Sequence, residues 1–119
     1  MHELYIAECI VKSVSESLPQ NLPTTSVTEV RVQVGQLDAV IPETLLFVFD
    51  AIKGNGGLPN ANLSVEQIDV VCRCRACNQE FGIELPVFIC PQCRSGDVEV
   101  LRGRGILLTG ITVQNGEEA

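Results

Sequence analysis

Leu4, Ala7, Val11, Val14 and Leu18 recur at three- and four-residue steps, with Ile6 and Ile10 beside them. That spacing predicts an amphipathic helix over about residues 3–18, because side chains so spaced share one face. Glu3 stands at its N-terminus, where a negative charge favours the positive end of the helix dipole, and Pro19 and Pro23 stop it. Val30, Val32 and Val34 then alternate with Arg31 and Gln33, the pattern of a strand with one wet face, and Gly35 ends it. Pro42 suits the first position of a second helix, whose Leu45, Leu46, Phe49 and Ile52 form an apolar stripe ahead of Gly54. A loop follows over residues 53–57. Leu63 and Val65 alternate in one phase and Ile68 and Val70 in the other, which predicts a bulge at Glu66-Gln67. Leu107, Thr109, Ile111 and Val113 alternate once more.

These elements assemble into an α/β (α+β) fold: a three-stranded sheet with two helices packed on it, and a small ribbon inserted between the second and third strands. The expected division is a body of residues 1–70 and 105–119 and a ribbon of residues 71–104. The ribbon is too short to hold a core unaided. Two strand-like segments, near Val70 and near Arg104, join it to the body, a link more restrained than a single linker yet able to bend. Metal held in one part should therefore affect binding in the other.

The ribbon carries its own remedy. Cys74-Arg75-Ala76-Cys77 and Cys90-Pro91-Gln92-Cys93 are two C-x2-C pairs, the arrangement of a four-cysteine structural zinc site. Each tight turn lets two thiolates grip one ion, and two turns complete a tetrahedron. A closed tetrathiolate leaves no position for water or substrate, so the zinc is structural. Two disulfides are the alternative, disfavoured because the chain starts without an apolar signal peptide and the cytosol keeps thiols reduced. Cys72 is read as a spare thiol, since Cys72 to Cys77 is too wide for the same turn, and Cys9 as a small apolar residue against the core.

The other metal-binding feature is the start, Met1-His2-Glu3, with the only histidine of the chain. The Met1 amine, the His2 amide and the His2 ring can chelate one ion through a five- and a six-membered ring, a near-planar arrangement that suits Ni(II) or Cu(II). A frayed, solvated terminal residue is the plain alternative. Bulky His2 should preserve the initiator methionine. Glu3 could add its backbone amide, giving a planar site of four nitrogens, or its carboxylate, giving six-coordination with waters.

Charge narrows the partners. The formal net charge of −7 over 119 residues argues against nucleic acid, and residues 72–104 carry five arginines against four acids before a tetrathiolate zinc adds about −2. Only five aromatic residues are present, four Phe and one Tyr, so no basic stripe with interleaved aromatics forms. No apolar run reaches the ~18 residues of a membrane span. An enzyme is excluded by the lone terminal histidine, the closed zinc site and the absence of a phosphate-binding glycine loop.

Met1-His2-Glu3-Leu4, Val34-Gly35-Gln36-Leu37-Asp38-Ala39-Val40, Pro42-Glu43-Thr44-Leu45, Phe47-Val48-Phe49-Asp50 and the two cysteine knuckles, in this order, resemble the HypA/HybF family of hydrogenase maturation nickel chaperones. The resemblance reaches about Val113. It implies an α/β nickel-binding domain, a zinc domain, and cytoplasmic delivery of Ni2+ as transient cargo to the large subunit of NiFe-hydrogenase in concert with a HypB-type GTPase, by a monomer or homodimer. It matches Met1, His2 and Glu3 to the family's nickel-binding start, and Cys74, Cys77, Cys90 and Cys93 to its ligands for structural Zn2+. The chain departs from the family pattern in three respects. Asn78 and Arg94 stand where glycine commonly follows each knuckle, so the second knuckle is expected to turn differently, arginine entering the left-handed region less readily than asparagine. Gln36 replaces an acid, and Arg104-Gly105-Ile106-Leu107 stands where an acidic residue often precedes the last strand. The other function class is a zinc-ribbon scaffold or nucleic-acid adaptor without nickel, which the acidic charge disfavours and a Ni(II) titration would separate.

Overall fold

The structure is a computed structural model that describes residues 2–83 and 87–114. Helix α1 spans His2–Ser17 and α2 spans Pro42–Ile52; strands β1 Val27–Gly35, β2 Asn62–Ile68 and β6 Ile106–Val113 form one sheet in the order β2-β1-β6. Strands β3 Val70–Cys74, β4 Glu80–Ile83 and β5 Val98–Arg102 form a second sheet in the order β4-β3-β5. The expected architecture of two helices, a three-stranded sheet and an inserted ribbon is what the chain adopts, and the ribbon has a three-stranded sheet of its own.

Contacts divide the chain into two units. One comprises residues 1–33, 40–66 and 107–119; the other comprises Val34–Ala39 with Gln67–Ile106. The segment Val34–Ala39, which the pattern assigned to the body, thus groups with the ribbon.

In the first unit β1 is central, which explains why Val27, Val30 and Val32 are fully or almost fully buried. Helices α1 and α2 pack on each other, α1 burying Glu3, Ile6, Ala7, Ile10, Val11 and Val14, and α2 burying Leu45 and Phe49. The buried stripe of α1 differs from the expected one at two positions. Leu4 is 46% exposed, because Glu3 takes the buried place in the first turn. Cys9 is exposed instead of packed on the core, lying roughly a third of a turn from the line through Ile10 and Val14. Pro42 occupies the first turn of α2 as expected, and Ile41 is its extended N-cap residue. Leu46, assigned to the stripe, is 40% exposed.

The phase change at Glu66-Gln67 appears as two successive exposed residues within an unbroken β2, and the break in pairing comes at Asp69. The register irregularity lies farther on, between Val71 and Cys72 where β3 pairs β5.

The second unit is stitched by backbone. The Gly35 N–H donates to Gly105 O at 2.8 Å and the Leu37 N–H to Gly103 O at 2.9 Å. The Gly105 N–H donates in return to Asp38 Oδ2 at 2.6 Å. Gly103 and Gly105 hold φ of +100° and +89°, a left-handed excursion that glycine permits at little cost. Gly103 lies so close to β3 that an added Cβ would sit 2.5 Å from Val70 Cα.

Candidate metal centres

The first knuckle begins where β3 ends at Cys74. The Cys74 N–H donates to Gln79 O at 2.9 Å, and the Asn78 N–H donates to Cys74 O at 2.8 Å. The second knuckle repeats both bonds, Cys90 N–H to Ser95 O and Arg94 N–H to Cys90 O, each at 2.9 Å. Asn78 and Arg94 share the same φ of +64°. The second knuckle therefore turns as the first does, contrary to the expectation from arginine. The repeated hydrogen bonds over-determine the turn, and the strain falls on Arg94.

These turns converge the sulfurs of Cys74, Cys77, Cys90 and Cys93 to within 4.8 Å of one another. Cys74 Sγ lies 3.6 Å from Cys93 Sγ, and Cys77 Sγ 3.6 Å from Cys90 Sγ. A tetrahedral zinc with bonds of ~2.3 Å requires sulfur–sulfur edges of about 3.8 Å. A disulfide requires ~2.05 Å. The set is open enough for an ion and too open for disulfides. The backbone N–H groups of Cys93 and Gln92 act on the Cys90 sulfur and lower its pKa to about 7. Cys77 is pushed to about 12: the Gln79 N–H lowers it, but desolvation and the neighbouring thiols outweigh that. Four crowded sulfurs cannot all ionise without a cation between them, and a dication is what the donor set fits.

Cys72 is outside the cluster. It is fully buried in the middle of β3, opposite Phe81 and Val100, and burial pushes its thiol pKa up. Among the arginines nearby, Arg73 pairs with Glu99 at 3.3 Å and Arg75 with Asp97 at 2.9 Å.

Of the three residues at the chain start, Met1 lies outside the described residues. His2 opens α1. Its side chain is 45% exposed, yet Nε2 is shielded from water and has no hydrogen-bond partner among the described residues. It lies 3.9 Å from Glu3 Oε2. Glu3 itself is only 4% exposed, and Oε2 accepts the Ile41 N–H at 3.2 Å. That bond holds the Glu3 pKa down at about 2. Glu3 therefore ties the first turn of α1 to the N-cap residue of α2, a role that the sequence pattern did not reveal. Its only trace was an acidic residue three positions before an apolar one in a helix that otherwise buries hydrocarbon.

A family model described as hydrogenase/urease nickel incorporation, metallochaperone, matches residues 1–113. The chain belongs to the HypA family. Its relatives include the hydrogenase maturation factor HypA of Desulfosudis oleivorans, 37% identical over 114 residues that cover 96% of this chain and 99% of the relative. The factor of the same name in Desulfatibacillum aliphaticivorans is 32% identical over 118 residues, covering 99% and 91%. Among solved structures, the Ni metallochaperone HypA from Helicobacter pylori aligns with a TM-score of 0.68 at 19% identity, covering 95% of this chain and 97% of that one. The HypA family is one of metallochaperones and not of enzymes. No helix among the described residues is long and apolar enough to cross a membrane.

Proposed function

We propose that this HypA-family chain binds Ni(II) at its N-terminus and delivers it in the cytoplasm to the large subunit of NiFe-hydrogenase, together with a HypB-type GTPase. The observation that carries this reading is the His2 imidazole, whose shielded Nε2 has no hydrogen-bond partner among the described residues, in a chain matched over residues 1–113 by a nickel-incorporation family. A buried polar atom without a partner calls for a reason. Swinging the ring so that its near nitrogen chelates beside the His2 amide releases Nε2 to water. The amide itself is available at no cost to the helix, because the first four N–H groups of α1 have no intrahelical acceptor.

Met1, His2 and Glu3 are the proposed nickel ligands. Recruiting the Glu3 carboxylate would break its bond to the Ile41 N–H and strand that donor, whereas the Glu3 amide adds a nitrogen and leaves the bond in place. A planar four-nitrogen site follows. Cargo must leave as well as arrive, and ligands at a chain terminus can be exchanged one at a time without opening a core. Selectivity over copper then comes from availability and from the recipient proteins, since Cu(II) outranks Ni(II) at nitrogen donors.

Cys74, Cys77, Cys90 and Cys93 are the proposed ligands of one structural Zn2+. When bound, that ion supplies folding free energy and no open coordination position. Residues 1–70 with 105–119 form the proposed nickel-binding part and 71–104 the zinc part. No observation favours the nucleic-acid adaptor, since Arg73 and Arg75 are already engaged with Glu99 and Asp97.

The deciding experiment is a Ni(II) titration of untagged protein followed by X-ray absorption to count nitrogen, oxygen and sulfur neighbours. His2→Ala, or a few residues added before Met1, should abolish stoichiometric nickel binding and leave zinc content and helicity intact. Full nickel affinity in either protein would refute the site, and oxygen-rich six-coordination would refute the amide route.

A further inference from the structure

Residues 53–57, expected as a loop, end α2 in an ordered way. Past Ile52 the chain keeps one more helical bond, the Gly56 N–H donating to Ile52 O at 3.0 Å. It then closes with two bonds that turn back on the helix, Leu58 N–H to Lys53 O at 2.8 Å and Gly57 N–H to Gly54 O at 3.2 Å. Gly57 holds φ +88° and Leu58 is fully buried. That combination is a Schellman cap, in which a left-handed glycine and an apolar anchor finish a helix. Inside the cap lies Asn55-Gly56, both residues exposed, and the Asn55 side-chain amide has no hydrogen-bond partner among the described residues. Asparagine before glycine is open to attack by its own main chain, because glycine carries no side chain to hinder the following nitrogen. Asn21, Asn60, Asn62 and Asn78 precede Leu22, Ala61, Leu63 and Gln79, which do hinder it. Asn115-Gly116 is the other such pair and lies outside the described residues.

We propose that Asn55-Gly56 is a site of spontaneous deamidation, gated by the hydrogen bond from Gly56 N–H to Ile52 O. While that bond holds, the Gly56 nitrogen is tied to the end of the helix. Helix ends open locally at little cost, and the neighbouring glycines Gly54 and Gly57 favour the open chain. Once released, the Gly56 nitrogen attacks Asn55 Cγ. A bond from that nitrogen to Cγ forms, the bond from Cγ to the amide nitrogen breaks, and ammonia leaves with the proton that the Gly56 nitrogen gives up. Water then opens the succinimide at either carbonyl, giving aspartate or isoaspartate. Isoaspartate routes the main chain through the side chain and so adds a methylene within the ring closed by Leu58 N–H and Lys53 O. Gly56 has no room to take up the extra length, since an added Cβ there would sit 2.6 Å from Val11 Cγ1 on α1. The cap that anchors Leu58 is therefore lost in the isoaspartyl chain. Aspartate at the same place keeps the chain length and adds only a charge at the negative end of the helix dipole.

The test ages the full chain at mildly alkaline pH, folded and in urea, and follows each asparagine by peptide mapping that separates aspartate from isoaspartate. In the folded protein, conversion at Asn55 should outrun that at Asn21, Asn60, Asn62 and Asn78. It should also run about tenfold slower than in urea, the factor for opening one hydrogen bond. Hydrogen exchange at the Gly56 amide should be retarded to the same degree, because both reactions need the same opening. Folded protein carrying isoaspartate at position 55 should melt below Asn55→Asp, which has the same charge on an unlengthened chain. An Asn55 that stays intact in the folded protein while the unfolded chain converts overturns the proposal. Conversion as fast folded as unfolded overturns the gate, and equal melting of the two products overturns the loss of the cap.

Discussion

Gly35→Ala separates two arguments that differ in sign. Gly35 has φ −68° and ψ 134°, a conformation that alanine adopts without strain. Judged on the backbone alone, the substitution should stabilise by ~0.4–1 kcal/mol through the unfolded chain. Its surroundings dictate the opposite. An added Cβ would fall well inside contact distance of the Gly103 carbonyl and the Arg104 nitrogen, both main-chain atoms with no rotamer to give way. The two segments must separate, and separation weakens the bonds Gly35 N–H to Gly105 O, Leu37 N–H to Gly103 O and Gly105 N–H to Asp38 Oδ2. At roughly 1 kcal/mol net for each, the loss is about 3 kcal/mol, which outweighs the entropic gain. Urea unfolding of zinc-loaded protein should show a midpoint lowered by about 2–3 kcal/mol equivalent at constant slope, with faster amide exchange at Leu37 and Gly105. An unchanged or raised midpoint would show that the clasp has slack, and the close approach of Gly35 and Gly103 would lose its energetic meaning.

Cys93→Ala should eliminate the zinc and unfold residues 71–104, a loss on the order of 10 kcal/mol for that unit, whereas Cys72→Ala should keep one zinc per chain by metal analysis. Because Cys72 is fully buried, metal content and not stability is the readout that distinguishes them. The Glu3 carboxylate, held near 2 by the Ile41 N–H, contributes stability that is fully present above the ordinary value of 4.5 and is lost as pH falls from there through about 2. Glu3→Gln should remove that part of the acid limb in thermal melts followed between those limits; a superimposable pH profile would sink the assignment. Arg94→Gly should relieve the left-handed strain and stabilise the zinc unit by about 0.5–1 kcal/mol in denaturant unfolding, with Asn78→Gly smaller; a loss in both would show that the side chains make contacts outweighing φ.

The periodic elements were legible because burial imposes a period. Val30, Val32 and Val34 alternate since β1 is the central strand, and the cysteine pairs converge because two bonds in each knuckle fix the same turn. Where pattern failed, a polar or main-chain partner had overridden it. Glu3 displaced Leu4 from the buried stripe because the partner that makes its burial tolerable, the Ile41 amide, is 38 residues away. Nothing local announces such a bond. Gly35 looked like a strand terminator, and its close approach to Gly103 depends on a chain crossing that sequence spacing cannot encode. Arg94 departs from pattern for the reverse reason: its own conformational preference is local, and the hydrogen bonds of the knuckle override it.

The insertion of the four-cysteine unit in the chain between two strands of the first sheet has a consequence that needs no interface between the two units. Strands β2 and β6 flank β1 but are separated along the chain by an insertion of about 37 residues, whose ends must be brought together before β6 can pair. The antiparallel pairing of Val71 with Arg102 does this in advance, leaving only a handful of residues to close. By the logarithmic dependence of loop closure on length, the saving is about 1.5 kcal/mol. A metal that folded the insertion would therefore act as a clip on the chain. Losing it lengthens a loop inside the sheet beside α1 and loosens the scaffold of the N-terminal turn through chain entropy alone.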